Sequence, residues 1–403
     1  MRTSFDGAGL RRVRGERDQR VTLIELFFDL VFVFAVTQLS HSLLEHLSLR
    51  GALQTLLLLL PVWRAWIDTA WITSWFDPDR RPIRVMLIGV MLVSLLMSAM
   101  LPAAFDERGL AFAGAYVTLQ IGRTLFVIAA LGGDRGLRLN FHRILVWAAV
   151  YGVLWLAGGF AHGSTREALW LAAVLVDLAA PTAGFFTPGL GRSTPSDWTI
   201  AGEHLAERCE LFIIVALGES ILITGTTFGE LNVSAAGVAA FVVAFAGSVA
   251  FWWIYFDRGA AAGIEVIGGA ADPGRLGRSA YTYFHLPMVA GIVVMAVGDE
   301  LTIAHKTGHA STATILTVVG GPALFLAGHA LFKWAVFGRL SVAHLTAIVA
   351  LAALIPVGQV APPLLIAALA VLIVAAVAWW ALRTEQRVPH TATSTAVGSS
   401  SHV

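Results

Sequence analysis

Residues 22–46 read TLIELFFDLVFVFAVTQLSHSLLEH. A helix of that length spans about 37 Å at 1.5 Å per residue, more than the roughly 30 Å hydrocarbon core of a bilayer. Six arginines precede it, which gives the superficial look of a secretory signal. The run is too long for a signal core, contains Glu25 and Asp29, and has no small-residue cleavage site. It reads as an uncleaved first transmembrane helix.

The remainder of the 403-residue chain repeats this texture. Hydrophobic residues make up 57% and charged residues only 13%, whereas a soluble domain carries about 25% charged residues. Too little polar surface is available to face water, so lipid is the expected solvent and the bilayer the expected partner. Apolar stretches recur at 22–46, 52–76, 83–104, 109–132, 141–161, 167–187, 205–228, 235–257, 279–299, 312–333, 341–358 and 362–382. The expected fold class is all-α: a polytopic integral membrane protein with about twelve transmembrane helices.

Basic residues orient the bundle. With twelve spans, the N-terminal tail, the connections after every even helix and the C-terminal tail share twenty-one lysines and arginines. The opposite side has only Arg50, Arg108, Arg166 and Lys306, and Arg64 and Arg123 fall inside the membrane. Both termini are therefore expected in the cytoplasm, with Arg208 counted among the cytoplasmic residues.

The two halves also echo each other. IELFFDLVFVFA in the first helix parallels CELFIIVALGES in the seventh, matching Glu25 with Glu210. WITSWFD parallels FWWIYFD (Asp77 with Asp257), and GRTLF parallels GHALF (Arg123 with His329). Offsets of 180 to 206 residues suggest a duplicated six-helix unit, parallel because six is even. The expected organisation is a basic cytoplasmic tail (1–20), a first six-helix half (21–187), a Gly/Pro/Ser-rich cytoplasmic linker (188–204), a second half (205–387) and a disordered cytoplasmic tail (388–403).

A charge at mid-bilayer costs about 2.5–3.5 kcal/mol on insertion scales, so each intramembrane charge asks for a reason. Glu25 and Asp29 lie four residues apart on one helical face, followed by Gln38, His41 and Glu45. They either line a pathway or pair with arginines at the membrane edge. Arg64 and Asp68 can pair along their own helix. Arg123 has no charged neighbour on its helix and needs a partner across the bundle, for which Asp29, Asp68 and Asp177 are open choices. Asp177, without a partner, would be neutral. In the seventh helix Glu207 and Glu210 are three residues apart, and Glu219 lies deeper, beside Gly218. His285 is followed by Pro287, a potential kink, while Asp299 and Glu300 are expected in solvent at the outer surface. The candidate substrate or ion pathway is thus Glu25, Asp29, Arg64, Asp68, Arg123, Asp177, Glu207, Glu210 and Glu219.

Other chemistries find no pattern. The single cysteine, Cys209, precludes an intramolecular disulfide. There is no HExxH, zinc-type cysteine pair, phosphate-binding glycine loop or nucleophile elbow, so no catalytic set, metal or cofactor is expected. The N-terminal arginines are accounted for by topology and anionic lipid, leaving nothing for nucleic acid.

ELFFDLVFVFAVTQLSH, WFDPD, HLAERCELFIIVALGESIL and HLPMVAGI, in that order, resemble the bacterial low-temperature-requirement protein A (LtrA) family across nearly the whole chain outside the tails. The matching positions include Glu25, Phe28, Asp29, Gln38 and His41, then Glu207, Arg208, Gly218, Glu219 and Ser220. Cys209 stands where the family more often has an aromatic residue. The resemblance implies a multi-pass protein of the bacterial cytoplasmic (inner) membrane, named for a growth requirement in the cold; it specifies no substrate. Duplication and intramembrane charge favour an ion-coupled secondary transporter of an unknown small solute or ion. An ion channel is the nearest rival, and a non-transporting sensor or a lipid-modifying enzyme the more distant ones. The sequence leaves the oligomeric state open.

Overall fold

The computed structural model describes residue 10 and residues 20–194, 197–198, 200–256 and 259–385. Most of the basic tail at 1–20, the tail at 388–403, and Asp257 of the repeat comparison lie outside the described residues.

Fourteen α-helical segments account for nearly all the described chain. The first six are α1 (Leu23–Glu45), α2 (Leu49–Thr73), α3 (Arg81–Met100), α4 (Gly109–Ala130), α5 (Arg135–Phe160) and α6 (Gly163–Thr182). A long connection leads to α7 (Gly202–Glu230), α8 (Ala235–Phe256), and the short α9 (Gly259–Gly268) and α10 (Pro273–Leu276). The last four are α11 (His285–Ala304), α12 (Thr312–Phe337), α13 (Val342–Gly358) and α14 (Pro363–Glu385). Among the described residues β structure is confined to isolated bridge positions, at Phe76 and between Thr187 and Gly191 in the α6–α7 connection.

Each of the twelve expected stretches contains an α-helix. Among the described residues ten helical stretches are long and apolar enough to cross a membrane, fewer than the twelve expected. The two that fall short have identifiable reasons. α6 carries Arg166, Glu167 and Asp177 within 20 residues, and α13 has only 17 residues.

Large apolar side chains on the outside recur at helical spacing. Val85, Ile88, Leu92 and Leu96 form such a row on α3, and Val238, Val242, Phe245 and Val249 another on α8. A soluble monomer rarely exposes continuous apolar faces of this kind; lipid tails solvate them here.

Inside the bundle the helices approach closely where glycines remove the obstacle. A Cβ added to Gly291 of α11 would sit 2.5 Å from the Phe325 amide nitrogen, and one on Gly321 of α12 would sit 2.6 Å from that of Met295. These two helices make the most extensive contact in the molecule. In lipid, where burial of apolar surface gives no advantage over the tails, such backbone proximity supplies the dispersion energy that holds helices together.

The chain departs from α geometry in the turn just before the potential kink at Pro287. Residues Gly277–Tyr283 form a π-helical stretch that joins α10 to α11. Pro287 occupies the first turn of α11, a position where proline costs a helix nothing. The π stretch pushes Arg278 and Tyr283 towards α6: Arg278 Nη1 donates to the Pro181 carbonyl at 3.0 Å, and the Tyr283 hydroxyl donates to that of Leu178 at 3.0 Å.

Candidate functional site

The intramembrane charges separate into three groups. The largest joins α2, α4 and α6. Arg64 and Asp68 pair along α2 at 3.0 Å, as their spacing predicts. Arg64 Nε also donates to Asp177 Oδ2 at 3.1 Å, and Asp177 accepts from the Tyr116 hydroxyl at 3.2 Å. Asp177 is therefore a partnered carboxylate, and the expectation of an isolated neutral acid is corrected by α6 lying against α2. Of the three possible partners for Arg123 the structure selects Asp68, at 3.2 Å. The Arg123 guanidinium also donates to the Ala65 carbonyl at 2.9 Å, to Thr69 Oγ1 at 2.8 Å and to Gln120. Its Nε is buried with no hydrogen-bond partner among the described residues.

A cavity of about 120 Å³ ends on this group. Arg64, Asp68, Arg123 and Asp177 line its base. Trp71 of α2, Trp75 just beyond its end, and Phe141, Trp147 and Tyr151 of α5 contribute aromatic walls. Phe185 and Trp198 of the α6–α7 connection, with Arg278 and Tyr283 of the π stretch, complete the wall at the arginine-rich end of the bundle. The Trp71 Nε1–H is held by Thr282 Oγ1 at 3.0 Å and that of Trp147 by the Phe186 carbonyl at 3.1 Å. Beyond the charged group, towards the other end, the first half is filled by aromatic rings. Tyr116 packs on Trp155 with centroids 5.2 Å apart, and Trp155 on Trp170 at 5.1 Å. Phe112 meets both tryptophans, and all four rings are essentially inaccessible. These four rings lie outside the cavity lining.

The second group clasps α1 to α7. Glu25 Oε1 lies 2.9 Å from His204 Nε2, and both side chains are wholly buried. One turn further along α1, Asp29 Oδ1 accepts from Arg208 Nη2 at 2.8 Å and from the Trp66 indole at 2.7 Å. The Arg208 guanidinium lies over the rings of Phe28 and Trp66, at 5.5 Å and 5.6 Å. Arg208, counted from sequence as a cytoplasmic surface charge, is only 1% exposed. It is buried because its partner lies on another helix. Glu207 Oε2 accepts from the Val21 amide at 3.3 Å at the edge of this clasp. Glu210 is half-buried on the same helix and forms no ion pair among the described residues.

The third group lies far along α7. Glu219 is buried, with one carboxylate oxygen hydrogen-bonded to Thr37 of α1 and the other without a hydrogen-bond partner among the described residues. Its neighbour Ser220 donates to Asp299 Oδ2 of α11 at 2.9 Å and shares a 3.0 Å hydrogen bond with Ser248. Asp299, expected in solvent, is half-buried because α7 packs along α11 at this level. No set of three metal-ligating side chains is present among the described residues. Asp29, Arg123, Glu210 and Glu219 therefore do not meet in one place; Arg64, Asp68, Arg123 and Asp177 do.

Sequence reasoning missed His204, Tyr116 and Gln120 as members of these groups. Gln120 was within reach, since it precedes Arg123 by three residues and shares its helical face. His204 and Tyr116 gave no such signal, because their partners lie on other helices.

A bundle of apolar helices that encloses a charged group and an aromatic-walled cavity defines a multi-pass helical membrane protein. Comparison with known proteins agrees: the family model for the bacterial low temperature requirement A protein (LtrA) matches residues 20–379. The chain belongs to the LtrA family. An uncharacterized protein of Rhizobium meliloti (strain 1021) is 39% identical over 307 residues, covering 75% of each chain. No solved structure matches significantly.

Proposed function

We propose that this LtrA-family protein is a transport protein, an ion-coupled secondary transporter that holds its solute in the cavity between α2, α4, α5 and α6. The single observation that carries the reading is the cavity lined by the Arg64–Asp68–Arg123–Asp177 group inside the helix bundle. Buried charge in a membrane is costly and marks substrate and ion routes. We read the packed rings of Phe112, Tyr116, Trp155 and Trp170 as a block to passage through the first half, as in one access state of a transporter; a channel needs a route open throughout. Glu219 is the group proposed to take and release the coupling ion, because one oxygen of its buried carboxylate accepts no hydrogen bond among the described residues.

The organisation proposed with it has twelve spans, both ends cytoplasmic, and two parallel halves. The recurrence of neighbours supports duplication. α1 packs on α2 and α3, α3 on α4, α4 on α5, α5 on α6, and α2 on α6. Six helices later α7 packs on α8 and α11, α11 on α12, α12 on α13, α13 on α14, and α8 on α14. Membrane insertion of α6 and α13 is part of the proposal: neighbours shield the charges of α6, and a tilted bundle tolerates a short α13.

Proton, sodium and potassium fluxes into liposomes containing the purified protein test the reading. Wild type is compared with Glu219→Gln and with Ile144→Trp, which fills the cavity. Coupled, saturable flux in wild type that both folded variants lose is the expected result. Leak equal to that of protein-free liposomes would remove the ion-coupled reading, and unsaturable current would replace it with a channel.

A further inference from the structure

We infer that the cavity, taken as the substrate site of the transport reading above, accepts a small monocarboxylate with an apolar ring or branched body. Size comes first. A cavity of about 150 Å³ lined by apolar side chains holds benzene, so the volume here, about 120 Å³, suits a body of about six heavy atoms that carries a polar head.

Charge comes second. The lining has three guanidiniums, Arg64, Arg123 and Arg278, against two carboxylates, Asp68 and Asp177, one positive charge in excess. The excess is localised. Arg64 and Arg123 share Asp68 and Asp177, whereas Arg278 has no ion pair among the described residues and gives one donor to the Pro181 carbonyl. A backbone carbonyl satisfies a hydrogen bond and leaves the charge uncompensated. A guanidinium has five N–H donors and matches a carboxylate with two parallel hydrogen bonds. Half-buried in the cavity lining, Arg278 is placed to receive a carboxylate while the body lies among Trp71, Trp75 and Tyr151.

Aromatic walls alone would also suit an organic cation. The excess positive charge argues against one. Both oxygens of Asp68 are already engaged by Arg64 and Arg123, and Asp177 Oδ2 by Arg64 and Tyr116, so an incoming ammonium would have Asp177 Oδ1 alone to meet, beside an uncompensated guanidinium.

The test is calorimetric titration of the purified full-length protein in detergent with benzoate, benzamide, benzylamine and phenylalanine, which share a ring and differ in charge. Benzoate is expected to bind at least tenfold tighter than the other three. Arg278→Gln should remove that preference, leaving benzamide unchanged, and Arg278→Lys should restore part of it. Equal affinity for benzamide, tighter binding of benzylamine or phenylalanine, or no heat with any of the four overturns the inference. Should Arg278→Gln fail to fold, the wild-type series decides alone. Benzoate binding without uptake into liposomes would keep the ligand class and remove the transport reading; saturable ion-coupled flux without benzoate binding would do the reverse.

Discussion

Arg123 of α4 reaches Asp68 of α2 at 3.2 Å, and through that contact two helices that meet only modestly share one buried charge pair. Asp68 also accepts from Arg64 at 3.0 Å, so its two oxygens serve two different arginines. Asp177 serves only Arg64.

That asymmetry ranks two substitutions. Breaking a buried pair by removing one partner costs about 3–5 kcal/mol. Asp68→Asn strips the ion-pair partner from Arg123 and one of two from Arg64, and should cost more than Asp177→Asn. Thermal unfolding in detergent, followed by tryptophan fluorescence, checks the order; a lower midpoint for Asp177→Asn would contradict the network described here.

The α1–α7 clasp makes a second prediction. Arg208→Met leaves Asp29 with the Trp66 indole as its remaining hydrogen-bond donor and should destabilise by about 3–5 kcal/mol. The double variant Asp29→Asn/Arg208→Met should recover a large part of that loss. A double-mutant cycle measures the coupling, and additive losses would mean that the pair is energetically silent.

Helix proximity gives a third. Gly321→Ala places a methyl 2.6 Å from the Met295 nitrogen, whereas Gly320→Ala meets nothing within 4 Å. The first should lower the melting midpoint and the amount of protein recovered from membranes; the second should be neutral. Equal behaviour of the two would mean that α11 and α12 are further apart.

Cysteine accessibility supplies a fourth. Cys209 is wholly buried, so a maleimide should leave the folded protein unmodified and react only after denaturation. In a Cys209→Ala background, Glu107→Cys should label in intact cells, and Asp79→Cys only after permeabilisation. Both positions are exposed, so the reversed pattern would invert the proposed orientation.

The first helix was legible because 25 largely apolar residues admit one reading. The neighbours of Asp29 were not. Hydropathy gives the depth of a side chain along its own helix but not the angle at which another helix crosses it, and Arg208 lies 179 residues away. For the same reason Arg123 could be assigned a need and not a partner. The cavity was illegible for a further reason: part of its wall comes from the π stretch at Gly277–Tyr283, and one extra residue per turn leaves no mark on an apolar pattern.

The α1–α7 clasp has a bearing on how the chain is made. Glu25 and Asp29 emerge from the ribosome with α1, and His204 and Arg208 follow about 180 residues later. At synthesis rates of about 5–20 residues per second, α1 waits on the order of ten seconds or more for its electrostatic complement. Until α7 arrives, Glu25 and Asp29 lack these two basic partners, so the clasp that ties α1 to α7 forms only after the first six helices have been made.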